Sequence, residues 1–93
     1  MDIFSQIAIR IIKEQELIIG PLAWGEAKKV SGLSVEDATG EVVLVGDKKQ
    51  AIDALVARYD RLFGRASHEV SREAVSGLLA DLASEEVPIS LRS

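Results

Sequence analysis

The chain has 93 residues and a formal net charge of −4, with 47% apolar residues, 28% charged residues and no cysteine. That length holds one domain with a modest core, residues 1–93, and leaves no room for a second. The missing cysteines exclude disulfides, thiolate catalysis and Cys-ligated zinc and suit a reducing, cytoplasmic setting. An acidic isoelectric point of about 4.9 argues against non-specific nucleic-acid binding, because phosphates repel an acidic surface.

The first element is the most informative. Seven isoleucines fall within the first nineteen positions, and the spacing predicts a helix from Asp2 to about Glu16. At roughly 100° per residue, Ile3, Phe4, Ile7, Ala8, Ile11, Ile12 and Ile18 share one broad apolar face. Asp2, Ser5, Gln6, Arg10, Lys13 and Glu16 take the other face, with Ile9 in its middle. The N-terminus lacks the basic cluster of a signal peptide. Charges at Arg10, Lys13 and Glu14 interrupt the run that a membrane-spanning helix would need.

Gly20-Pro21 breaks this pattern. Pro21 suits the first turn of a new short helix, LAWGEAKKV, that ends before Gly32. Leu33 and Val35 alternate with polar neighbours as in a short strand. Asp37-Ala38-Thr39-Gly40 is a turn signal, and the apolar run Val42-Val43-Leu44-Val45 reads as a buried strand completing a hairpin. Asp47 is a good N-cap for the next helix, with Gln50 three residues on as in a capping box. Ile52, Leu55, Val56, Tyr59, Leu62 and Phe63 form its apolar stripe, and Gly64 ends it. A further helix is expected to start with Ser67 as N-cap and to bury Val70, Ala74, Leu78 and Leu82, flanked by Val75 and Leu79, before stopping at Pro88. The tail Val87–Leu91 alternates, and Pro88, which cannot donate to a ladder, makes it an edge strand or an extended arm. The sum is an α+β fold: a small single domain, mostly helical with about four helices, a central β-hairpin and a C-terminal edge strand.

Candidate chemistry is sparse. Val45-Gly46-Asp47-Lys48-Lys49 runs from a strand into a helix start, where anions can bind free N–H groups. Asp47, however, supplies its own carboxylate to that end. Arg58, Arg61 and Arg65 recur at helical spacing, with His68 and Arg72 following. Arg suits a contact with an anion or an acidic partner because its planar fork grips carboxylate or phosphate. The plainer reading is a solvated flank loosely paired to Asp60 and Glu69. His68 is the only histidine, a general base by residue type but without an assignable triad. Glu36-Asp37 and Glu85-Glu86 lack calcium-loop spacing. Trp24 reads first as a core plug and second as an interface anchor. Gly77 allows a close backbone approach or is simply tolerated.

No catalytic residue, cofactor or metal site is expected. The sequence points to a non-enzymatic module that self-associates, as a homodimer, and docks on a protein partner. The proposed contact is through Ile3, Ile7, Ile11 and Ile18, with Ile9 and Trp24 extending it. A helix-turn-helix regulator built on the segments around Gly64 is the alternative, opposed by the acidic charge and by Glu69 and Glu73. A small ligand-binding or enzyme accessory domain using the Arg stripe and His68 comes third.

Overall fold

The computed structural model describes residues 2–36 and 39–92. Within them the order is α1 (Ile3–Ile19), α2 (Leu22–Lys28), β1 (Leu33–Glu36), β2 (Glu41–Leu44), α3 (Lys48–Phe63), α4 (Arg65–Ala74) and α5 (Ser76–Leu79). Two 3₁₀ turns, Ser84–Glu86 and Ile89–Leu91, follow. The fold is α+β: helices packed around one antiparallel hairpin.

Helix α1 starts where the Asp2 carboxylate accepts from the N–H groups of Phe4 (2.8 Å) and Ser5 (3.1 Å), satisfying donors that a helix start leaves orphaned. The Ser5 N–H, followed by Lys48, holds the Asp2 carboxyl below its ordinary range, against the opposing effect of its partial burial. The helix ends at Gly20, whose N–H donates to the Glu16 carbonyl at 2.8 Å and whose φ of 71° suits a residue without a side chain. Helix α1 runs one turn further than its apolar pattern implied, and it is the central element. It packs against α2, α3, α4 and β2, and Ile7, Ala8, Ile11 and Ile12 are buried completely. Its apolar face is wide because it is surrounded within its own chain.

The hairpin pairs Leu33 with Leu44, Ser34 with Val43, Val35 with Val42 and Glu36 with Glu41. Strand alternation turns Val42 and Leu44 inward, under α1, while Val43 and Val45 face outward and are more than half exposed. The apolar run in β2 is therefore half-buried rather than buried on both faces. The helices that pack on the hairpin are α1, against β2, and α2, against β1. The turn signal is met in part: the Gly40 N–H donates to the Glu36 carbonyl at 2.8 Å, whereas Asp37 and Ala38 lie outside the described residues.

Helix α3 follows its sequence signals closely. The Asp47 carboxylate accepts from the Gln50 N–H at 3.1 Å, and Ile52, Leu55, Val56 and Tyr59 are fully buried. Leu62 and Phe63 complete the stripe by spacing but remain partly exposed. Close to the start of α3, Gly32 has a φ of 92°, and a Cβ placed there would come within 3.2 Å of the Ala51 Cβ. Only glycine satisfies both conditions.

The C-terminal third differs most from expectation. Gly64 both ends α3 and precedes α4, which begins at Arg65 without a side-chain cap. Ser67 is not the N-cap; it is buried inside the first turn. The buried face of α4 is Ser67, Ser71 and Val75, while Val70, Ala74, Leu78, Leu79 and Leu82 are only half-buried. The helix breaks at Val75, whose φ of −114° and ψ of 4° leave the helical region. A Cβ on Gly77 would meet nothing within 4 Å, so no backbone approaches there. The tail is not an edge strand: it forms two 3₁₀ turns that strap onto α3. Pro88 and Leu91 are buried, the Ser90 N–H and hydroxyl both donate to Asp53, and Lys49 donates to the Glu85 carbonyl at 2.7 Å. Arg92 donates to the carbonyls of Val87 and Ser84.

Candidate functional site

The isoleucines expected at an interface separate into two groups. Ile7 and Ile11 have no exposed surface, so they belong to the core of the single chain and cannot meet a partner in this conformation. Ile3, Ile9 and Trp24 are half-buried and pack against that core, which fits the plug reading of Trp24. Ile18 is 61% exposed, and its neighbour Leu17 is 79% exposed. Leu22, just past the Gly20-Pro21 break, is also more than half exposed.

Leu17 and Ile18 close α1 and Leu22 opens α2. The Tyr59 hydroxyl donates to the Ala23 carbonyl at 2.6 Å, tying the end of α3 to the start of α2. Burial pushes the Tyr59 phenol up from its ordinary pKa, with the Glu26 charge adding to the effect, so the hydroxyl is a neutral donor. The Gln15 side-chain amide donates to the Ser67 carbonyl (2.9 Å), the Ser67 hydroxyl (2.9 Å) and the Ser71 hydroxyl (3.1 Å), tying the end of α1 to α4. Leu17 and Ile18 in the last turn of α1 and Leu22 at the start of α2 thus flank the Gly20-Pro21 break, and Leu62 and Phe63 in the last turn of α3 are partly exposed as well.

Between α1 and α4, Leu17 and Ile18 border a groove of about 560 Å³. Leu17, Ile18, Val70 and Ala74 make its apolar part, and Arg10, Glu14 and Glu73 its charged walls. Sequence reasoning missed Leu17, Leu22 and this role for Val70. The signal was the apolar pair Leu17-Ile18 immediately before the Gly20-Pro21 break, where the helix ends and both side chains are exposed.

The arginine stripe is divided by its partners. Glu26 on α2 reaches Arg58, with its Oε1 2.7 Å from Nη2 and 2.8 Å from Nε. Lys29 lies 3.3 Å from the other Glu26 oxygen. The Arg58 hydrogen bond, supported by Lys29, holds the Glu26 carboxyl below its ordinary value of 4.5 although partial desolvation opposes it. Because the folded pKa is depressed, this pairing stabilises the fold above pH 4.5 and is lost as the pH falls through the lowered value. We expect Glu26→Gln to flatten the stability profile in that acidic window. Urea midpoints measured at neutral pH and on the acid side would check this, and an unchanged acid slope would contradict it.

His68 Nδ1–H donates to Asp60 Oδ2 at 2.6 Å, bridging α3 and α4 across Gly64. The other Asp60 oxygen is buried with no partner among the described residues. Ser67, the adjacent hydroxyl, points to Gln15 instead, so no nucleophile joins His68 and Asp60. Arg72 pairs with Glu69 at 3.0 Å. Arg61 and Arg65 stay exposed, with no hydrogen-bond or ion-pair partner among the described residues. The four candidates Arg58, Arg61, Arg65 and His68 therefore form no common anion cradle: Arg58 and His68 are engaged by acids. At the start of α3, Asp47 fills the N–H position an anion would use, and Lys48 is held 3.3 Å from Asp2. A single residue, Gly64, joins α3 to α4, whereas a helix-turn-helix uses a turn of about three or four residues.

No group of three or more His, Asp or Glu side chains among the described residues is placed to hold a metal ion. Nor is any described helix long and apolar enough to cross a membrane. Compared with known protein families, curated proteins and solved structures, the chain matches none. Its class is thus given by its own geometry: a small helical α+β domain with an apolar end.

Proposed function

We propose that this chain is a small non-enzymatic protein-interaction and self-association module of the cytoplasm, acting as an adaptor, regulatory or structural subunit. The observation that carries this reading is the exposed set Leu17, Ile18 and Leu22, on either side of the Gly20-Pro21 break between α1 and α2. A small chain that keeps three large aliphatic side chains in water gains by covering them, since fully burying each is worth roughly 1.5–3 kcal/mol. Exposed apolar patches of this kind mark association sites. The cysteine-free sequence suits a reducing compartment.

Light scattering after size exclusion, over a concentration series, tests the reading. We expect a mass of twice 10.0 kDa or more at high concentration, falling toward 10.0 kDa on dilution. Leu17→Glu with Leu22→Glu should hold the mass at the monomer value without loss of helical signal, because both side chains are exposed. A wild-type chain that stays at 10.0 kDa throughout would remove self-association.

A further inference from the structure

We infer that the groove between α1 and α4 is the seat of a second copy of this chain, with Arg10 of each copy set against Glu14 or Glu73 of the other. This rests on the self-association reading above and names its surface and pairing.

The groove has an apolar part, with Leu17 and Ile18 from α1 beside Val70 and Ala74 from α4. Its walls carry both signs of charge: Arg10 and Glu14 one turn apart on α1, and Glu73 across from them on α4. None of these three charged side chains has a hydrogen-bond or ion-pair partner among the described residues, in contrast to Arg58, His68 and Arg72 nearby. Unpaired charges of opposite sign bordering an apolar strip select among occupants. A uniformly basic partner would match the two glutamates but set like charge on Arg10, and a uniformly acidic one would do the reverse; like charges brought together at an interface are costly. A second copy of the same surface, related by a two-fold axis, escapes this conflict. In such a contact residue i meets j while j meets i, so each arginine can face a glutamate of the other copy and both pairs form at once.

Size is compatible with this arrangement. A standard interface buries about 800 Å² on each partner, a modest part of the 5209 Å² surface of the chain. Leu17 and Ile18 in the last turn of α1, with Leu22 opening α2, offer exposed aliphatic surface for that contact.

The test is a charge exchange followed by mass measurement. Arg10→Glu alone, and the double variant Glu14→Arg with Glu73→Arg alone, are expected to sediment as monomers while keeping wild-type circular dichroism, because all three positions lie on the walls of the open groove. Mixed in equal amounts, the two should restore a complex of twice 10.0 kDa. Ile18→Asp, within the apolar strip, should give a monomer that no charge variant rescues. If wild type is itself monomeric, self-association fails altogether and the groove is left for a helix of another protein. If wild type is dimeric and Arg10→Glu and Ile18→Asp remain so, self-association stands but this surface is wrong. Monomeric variants that do not recombine would overturn the pairing.

Discussion

Replacing Ile11 with alanine is expected to lower the unfolding free energy by about 2–5 kcal/mol, and replacing both Ile7 and Ile11 with aspartate should leave the chain unfolded. Both side chains are completely buried, in the helix that touches α2, α3, α4 and β2. Truncation there removes contacts to several elements at once, and the surrounding helices cannot all move in to fill the space. A carboxylate at either position would have to lose its hydration with no partner in reach. A domain of this kind has only about 5–15 kcal/mol of net stability, so two such changes exceed what it can absorb. Denaturant unfolding followed by circular dichroism measures the first effect. A folded, soluble Ile7→Asp, Ile11→Asp monomer would mean that this face is an intermolecular contact after all, and that the placement of α1 is wrong.

Tyr59→Ala should cost about 3–5 kcal/mol, the range for deleting a buried aromatic ring. Tyr59 is the largest fully buried side chain among the described residues, in a sequence with only four aromatic residues to anchor its core. Its ring lies in the core and its hydroxyl ends on the Ala23 carbonyl of α2. Tyr59→Phe separates the two contributions. It keeps the ring and removes the hydrogen bond, for an expected loss of about 0.5–1.5 kcal/mol. Should the two variants prove equally destabilised, the hydroxyl rather than ring packing would be what fastens α3 to α2, and the packing argument would fail. The pair also bears on function, since Tyr59 helps hold the chain ends that expose Leu22 and Leu62. A destabilised Tyr59 variant should lose self-association together with its fold, whereas the Arg10→Glu variant loses association alone.

Local chemistry explains why much of the architecture could be read in advance. Asp47 and Gly64 bracket α3 because a carboxylate satisfies helix-start N–H groups and a glycine readily takes a positive φ, 85° here. Gly20-Pro21 separates α1 from α2 for similar reasons. Alternation around a turn of polar residues and glycine gave the hairpin. Where reading failed, a distant partner had intervened. Ser67 looked like a cap, but Gly64 lets α4 restart one turn earlier, and Ser67 and Ser71 instead face Gln15, more than fifty positions away in sequence. Val87–Leu91 alternated like a strand, yet no strand edge receives it; Asp53 and Lys49 on α3 hold it as 3₁₀ turns. Arg58, Arg61 and Arg65 share a helix flank by spacing, but Glu26 arrives from α2 to neutralise one of them.

The candidate surface shows the same division. Periodicity along α1 records which side chains must leave water, Ile7 and Ile11 among them. The sequence reading set Ile7 and Ile11 against a partner, but spacing does not say what covers them, because a helix of the same chain and a helix of a second copy impose the same spacing. The helices folding back around α1 enclosed those two residues and left Leu17, Ile18 and Leu22 outside. Residue order thus set the helices, the hairpin and their apolar faces through local backbone and solvation preferences. Which of those faces ended in the core and which at the surface depended on long-range packing, where each element finds its partner far along the chain.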